Sequence, residues 1–180
     1  QKHGTLEDMN TSKVLPNYYL SAENIVALEQ VMTSGYVKIG VPDKALVDAY
    51  RTGDKRKALY YKARTSSVYN PIKYGDGGND GYRCSFRSAE AYLIAAEASA
   101  ECAADNAAAT DSNLKEARVH LKALMEKRYA AAKYSQYAAA LDEMNKAQLL
   151  EAISNERRCE LAFEGHRWFD LRRTTRPALS

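Results

Sequence analysis

Glu156, Arg157, Glu160, Glu164 and Arg167 belong to a helical pattern that starts near Asn145 and puts charge where an amphipathic helix puts apolar side chains. At about 100° per residue, they share one broad face with Leu149, Ile153, Leu161, Phe163, Trp168 and Leu171, provided the helix runs on through Gly165. Paired carboxylates on such a face could split their pKa values and work as acid and base. Charges turned toward a core must otherwise be paired and hydrogen-bonded, because desolvating them singly is costly. Carboxylates at i, i+4 and i+8 with arginines between them suit bridges to neighbouring helices, and no nucleophile or oxyanion-binding group accompanies them. The pattern therefore points to a buried ionic network with no catalytic residue. Replacing Glu160 or Arg167 with alanine is then expected to cost about 3–5 kcal/mol.

Other chemistries find little support. Cys84, Cys102 and Cys159 have no metal-ligand spacing and are expected as buried free thiols, a Cys84–Cys102 disulfide being the alternative. His3, His120 and His166 are too scattered for a metal site. The run from Gly75 to Gly81 lacks the Gly-Lys-Ser/Thr of a phosphate loop and the dinucleotide spacing. It is read as a loop leaving a hairpin. No metal or cofactor is implied. A net charge of +3 is spread among interleaved acids and bases, which excludes a nucleic-acid footprint, and no stretch approaches the roughly 18 apolar residues of a membrane span.

The elements that must position these groups change character near residue 85. Residues 1–84 read as a mixed region of loops, short helices and a hairpin, and 85–180 as a helical region, within one structural unit. Ser21 is placed to cap a helix through Thr33 bearing Ile25, Leu28 and Met32. Pro42 opens a second short helix through Tyr50. Residues 57–64 and 67–74 read as paired strands. Beyond Ser85, Ala89, Tyr92, Leu93, Ala96 and Ala100 form an alanine-rich stripe that permits close helix packing, with Glu90 and Glu97 beside it to meet arginines of the last helix. Arg87 and Asp170 complete the expected network. Asn113-x-x-Glu116 and Asn145-x-x-Gln148 each resemble a capping box. Leu114, Ala117, Leu121, Leu124 and Met125 make the facing stripe, with Arg118 and Arg128 on the same side. The fold class is mainly α, with tetratricopeptide-like helix pairs, a loop-rich part and a short β-hairpin, although no full 34-residue repeat is present.

The chain carries 13 tyrosines against 3 phenylalanines and 1 tryptophan, ten of them at or before Tyr92. Tyrosine joins a flat apolar face to a polar tip, which suits stacking on sugar rings. Tyr18, Tyr19 and Tyr36 fall in or beside predicted loops and are the candidate ligand contacts. Most of the others are expected to pack with their hydroxyls outward.

Two strings resemble a known family. Glu156-Arg157-Arg158-Cys159-Glu160-Leu161-Ala162-Phe163-Glu164-Gly165-His166-Arg167-Trp168-Phe169-Asp170-Leu171-Arg172-Arg173 is similar to the C-terminal signature of the SusD/RagB family, and Phe86-Arg87-Ser88-Ala89-Glu90-Ala91-Tyr92-Leu93-Ile94-Ala95-Ala96-Glu97-Ala98 to its second hallmark. Asp54-Lys55-Arg56 and Ile72-Lys73-Tyr74 resemble weaker family positions. The resemblance implies a surface-exposed outer-membrane lipoprotein that captures glycans or other nutrients without cleaving them, as a lid on a SusC-like TonB-dependent transporter. It also implies an irregular ligand face opposite the helix pairs. Family members are several times longer and begin with a lipoprotein signal, so the sequence is expected to be the C-terminal part of a longer protein, attached to the membrane only through a lipid anchor outside it. The competing expectations are a helical-repeat adaptor that binds only protein, and a glycoside hydrolase working through two carboxylates.

Overall fold

A computed structural model of the chain describes residues 4–12, 14–18, 20–29, 40–73 and 82–174. Within them the fold is mainly α-helical. Strand β1 (Asn24–Glu29) lies antiparallel to β4 (Tyr82–Arg87), with a register irregularity near Val26. Helix α1 (Lys44–Asp48) and helix α2 (Arg56–Tyr60) come between them, followed by a hairpin of β2 (Tyr61–Ala63) and β3 (Tyr69–Pro71). From β4 the chain passes directly into α3 (Ser88–Cys102), then α4 (Ser112–Glu126), α5 (Ala131–Asp142), α6 (Lys146–Glu160) and α7 (His166–Arg173).

The core forms where the alanine stripe of α3 meets α4 and α6. Ala89, Leu93, Ala96 and Ala100 are fully buried against Leu114, Ala117, Leu121 and Leu124 of α4 and Leu149 and Ile153 of α6. Small side chains on α3 let the helix axes approach, so added volume there has nowhere to go. Ala96→Leu is expected to destabilise by about 1–3 kcal/mol through overpacking, seen as a lower urea midpoint. An unchanged midpoint would mean that the helices leave a gap at that position.

Several local expectations are corrected. Residues 24–29 form a strand, not the helix drawn from Ser21. Ser21 instead shapes a turn, its hydroxyl accepting from the Glu23 N–H while its carbonyl accepts from the Asn24 N–H. The remainder of that expected helix, like most of the glycine run, lies outside the described residues. Helix α1 is shorter than the span from Pro42, because the Asp43 carboxylate caps it by accepting from the Ala45 N–H. Residues 57–60 are helical and only 61–63 extended. Asp111, not Asn113, caps α4, its carboxylate accepting from the Asn113 and Leu114 N–H groups. The box of Asn145 and Gln148 does open α6, with both reciprocal hydrogen bonds in place. Helix α5 is an element that the sequence pattern did not single out.

The largest correction concerns the last helix, which does not run through Gly165. It stops at Glu160, passes Phe163 at φ 67° and Gly165 at φ 88°, and restarts as α7. The orphan carbonyls that end any helix are met here by distant donors. The Tyr50 hydroxyl donates to the Cys159 carbonyl at 2.7 Å, and Lys73 Nζ donates to the carbonyls of Glu160 and Ala162, each at 3.0 Å. The break takes α7 out of the helical phase of α6, so Arg167, Trp168 and Phe169 are exposed while Asp170 is buried.

Candidate functional site

Glu160, the last residue of α6, is fully buried and gathers three arginines from three separate segments. Its Oε1 accepts from Arg87 Nη1 at 2.6 Å and Arg128 Nη2 at 2.9 Å, and its Oε2 from Arg56 Nη1 at 2.9 Å and Arg128 Nε at 3.0 Å. Arg87 reaches this point because β4 ends there, and Arg128 because α4 has just ended. Each arginine then meets a second acid. Arg56 grips Asp54 with two donors at 2.9 and 2.6 Å, Arg87 grips Glu164 at 2.9 and 2.8 Å, and Arg87 and Arg128 both donate to Glu23. Lys73 adds a contact to Glu164 at 2.5 Å. Forked guanidinium–carboxylate pairs of this kind are the strong form of the charge-assisted hydrogen bond.

Four cations, Arg56, Lys73, Arg87 and Arg128, here face five carboxyls, Glu23, Asp54, Glu156, Glu160 and Glu164. One carboxyl is in excess, and the consequence falls on Glu156. Arg56 Nη1 lies 2.6 Å from its Oε1 but out of line for a hydrogen bond, while the Tyr129 hydroxyl donates to Oε2 at 3.1 Å. Burial raises the Glu156 pKa against the pull of Arg56, and the nearby Asp54 adds to the rise. At Glu160 burial also opposes the charge, yet Arg128, Arg87 and Arg56 hold its pKa well below the usual carboxylate range. Glu164 follows the same balance, held at about 2 by Arg87 and Lys73 in spite of burial. Burial lowers Lys73 to about 8 even with Glu164 beside it. A raised and a lowered carboxyl on one helix is the pattern of an acid–base pair, but Glu160 is 0% exposed and Glu156 only 7%. Among the described residues both are enclosed.

A second, smaller group sits along α3, α6 and α7. Arg157 Nε donates to both Asp170 oxygens at 2.9 and 3.0 Å, and its Nη2 donates to Glu90 at 3.1 Å. Arg173 joins Asp170 to Glu97, donating to Glu97 Oε2 at 2.9 Å. Of the residues expected in the network, Arg87, Glu156, Glu160 and Glu164 meet in the first group, and Glu90, Arg157 and Asp170 in the second, with Glu97 at its edge. Arg167 is corrected. It is exposed and makes no hydrogen bond or ion pair among the described residues, because the break after Glu160 turns it off the expected face. Sequence reasoning placed neither Glu23, Asp54, Arg56, Lys73 nor Arg128 in the network. Asp54, Arg56 and Lys73 carried a faint signal through their resemblance to family positions, and Arg128 through its place on the core side of α4.

Tyr18 is half-buried in the turn before β1, while Tyr19 and Tyr36 lie outside the described residues. The expectation of outward hydroxyls fails for several tyrosines. Tyr50, Tyr60, Tyr61 and Tyr129 are buried, and the Tyr50 and Tyr61 rings meet edge to face at 5.3 Å. Cys159 is a buried free thiol whose pKa burial pushes up to about 12, but Cys102 is exposed. The side chain of Cys84 lies outside the described set. Among the described residues no group of His, Cys, Asp or Glu is disposed to hold a metal ion, and no helix is long and apolar enough to cross a membrane.

Comparison with known proteins gives two findings. Residues 11–178 match the family model of the SusD family. The fold is similar to the crystal structure of a SusD-like carbohydrate binding protein from Bacteroides vulgatus, with a TM-score of 0.60 at 23% identity over 93% of this chain. The chain spans only 38% of that protein's length. No curated protein matches.

Proposed function

The chain belongs to the SusD family, and on that premise we propose that it captures a nutrient, an oligosaccharide or glycan, at the cell surface without cleaving it. The partner in this reading is a SusC-like TonB-dependent transporter in the outer membrane, and attachment to the membrane is through a lipid anchor on a longer protein. The observation that carries the reading is the family match itself, which spans both hallmark strings. The site supports a binder over a hydrolase. A hydrolase needs two carboxyls flanking an accessible bond, whereas Glu156 and Glu160 are both buried and Glu160 is committed to three arginines.

Native gels cast with a panel of polysaccharides are expected to retard the protein and leave polymer length unchanged. The intact gene product should be run beside residues 1–180 to locate the binding region. Absence of retardation in every polymer would remove the saccharide reading. Shorter products released from a polymer would remove the non-catalytic one.

A further inference from the structure

The central cluster treats one of its carboxyls differently from the rest. Glu23, Asp54, Glu160 and Glu164 each accept at least two hydrogen bonds from cationic side chains. Among the described residues Glu156 accepts from the Tyr129 hydroxyl alone, on Oε2, and its buried Oε1 accepts from none. Arg56 Nη1 comes close to that oxygen, but the side-chain hydrogen bonds of Arg56 go to Asp54, Glu160 and Tyr129. An ionised carboxylate with a dry oxygen that no donor meets is costly, whereas a protonated one leaves no charge to solvate.

The balance of charge leads to the same residue. Four cations face five carboxyls, so with every group ionised the closed cluster holds one uncompensated negative charge. A single proton removes it. In spite of burial, Arg128, Arg87 and Arg56 keep Glu160 ionised, and Arg87 with Lys73 does the same for Glu164. At Glu156 burial prevails over the pull of Arg56, and the like charges of Asp54 and Glu160 add to it.

Glu156 also faces a seam. The turn at 53–56 is joined to the chain leaving α4, where the Lys55 N–H donates to the Arg128 carbonyl and the Ala130 N–H to the Gly53 carbonyl, each at 2.9 Å. Asp54 and Tyr129 form an isolated bridge between the two strands of chain. Asp54 and Arg56 approach Glu156 from one side of this seam and Tyr129 from the other, with Cys159 and Glu160 on its own helix. Its side chain is 7% exposed, the most of the five carboxyls, which places it at the edge of the cluster nearest to water.

We propose that the closed cluster is completed by one proton carried on Glu156, and that release of this proton in less acid solution loosens the seam between α6, the turn at 53–56 and Tyr129. The fold then contains a pH-sensitive catch, with the proton bound while the seam is shut. Because the pKa of Glu156 is raised in the folded chain, the stability it contributes is present below 4.5 and is lost as pH rises through the folded value.

Glu156→Gln keeps the shape of the neutral carboxyl and cannot ionise. Thermal unfolding of the unaltered protein and of this variant should be compared from pH 4.5 to pH 9. The gap is expected to widen in favour of the variant by about 4 °C per pH unit, then to level once Glu156 is ionised in the folded protein. Lys73, which burial lowers to about 8, titrates in both proteins and cancels in the difference. Parallel curves would overturn the proposal, and so would a Glu156→Gln protein that fails to fold, since the amide reproduces the protonated state. Infrared spectra in deuterated buffer at about pH 6, where free carboxyls are ionised, test the unaltered protein directly. The carbonyl band of a protonated carboxyl is expected there, fading as pH is raised and missing in Glu156→Gln. No such band, or one that persists in the variant, would overturn the assignment.

Discussion

Glu160→Ala is expected to destabilise the protein by about 3–5 kcal/mol, the usual cost of leaving a buried charge without its partner. For a chain of this size that is a fall in Tm of about 10 °C. The expectation follows from geometry. Arg56, Arg87 and Arg128 all donate to this one carboxylate and are 0–1% exposed. Removing it leaves donors on three buried guanidinium groups without that acceptor. Glu160→Gln should be nearly as harmful, because half of the amide presents hydrogens to arginines. Urea unfolding measures both variants, with Arg167→Ala as the reference, expected within about 0.5 kcal/mol of the parent as an exposed substitution. A Glu160→Ala midpoint equal to that reference would show that water enters the cluster and screens it.

Acid is expected to unfold the protein between about pH 4.5 and pH 2. Glu160 and Glu164 ionise in the folded chain at pH values below the 4.5 of a free glutamate. Between those values the unfolded chain binds more protons than the folded one, so stability falls as pH drops, by about 1.4 kcal/mol per pH unit for each such group. Glu156 acts in the opposite direction. Its pKa is raised in the folded chain, so the folded state takes up that proton above pH 4.5 and the contribution is complete before the acid window opens. Thermal unfolding followed by circular dichroism from pH 7 to pH 2.5 tests this. A Tm that stays level from pH 5 downward would rule out these carboxylates as the acid-sensitive groups.

What could be read in the sequence was mostly what is local. The box of Asn145 and Gln148 joins residues three apart, and the stripe of Ala89, Leu93, Ala96 and Ala100 repeats within one helix. Neither needs any other part of the chain to be recognised. Residues 24–29 have the spacing of a helix face and become a strand because β4, some sixty residues later, offers a partner. Tertiary pairing overrides a local pattern of that length. The break after Glu160 was hidden for the same reason, since the donors that take up its carbonyls are Tyr50 and Lys73. Arg167 was placed wrongly as a direct result. Glu23 left no mark in the sequence, because a lone glutamate beside a strand differs from a solvated one only through the arginines that come to it.

Glu160 draws its arginines from positions 56, 87 and 128, and Glu23 shares two of them across 64 and 105 residues of chain. Apart from Asp54 and Arg56, two residues apart, these groups meet their partners only across long stretches of polypeptide. Until the distant segments have met, a partly collapsed chain must either keep the region hydrated or bury charge without a partner. Loop-closure entropy is spent before such contacts give anything back. The cluster is therefore expected to close late, after a ribosome has released nearly the whole of the stretch from Glu23 to Glu164.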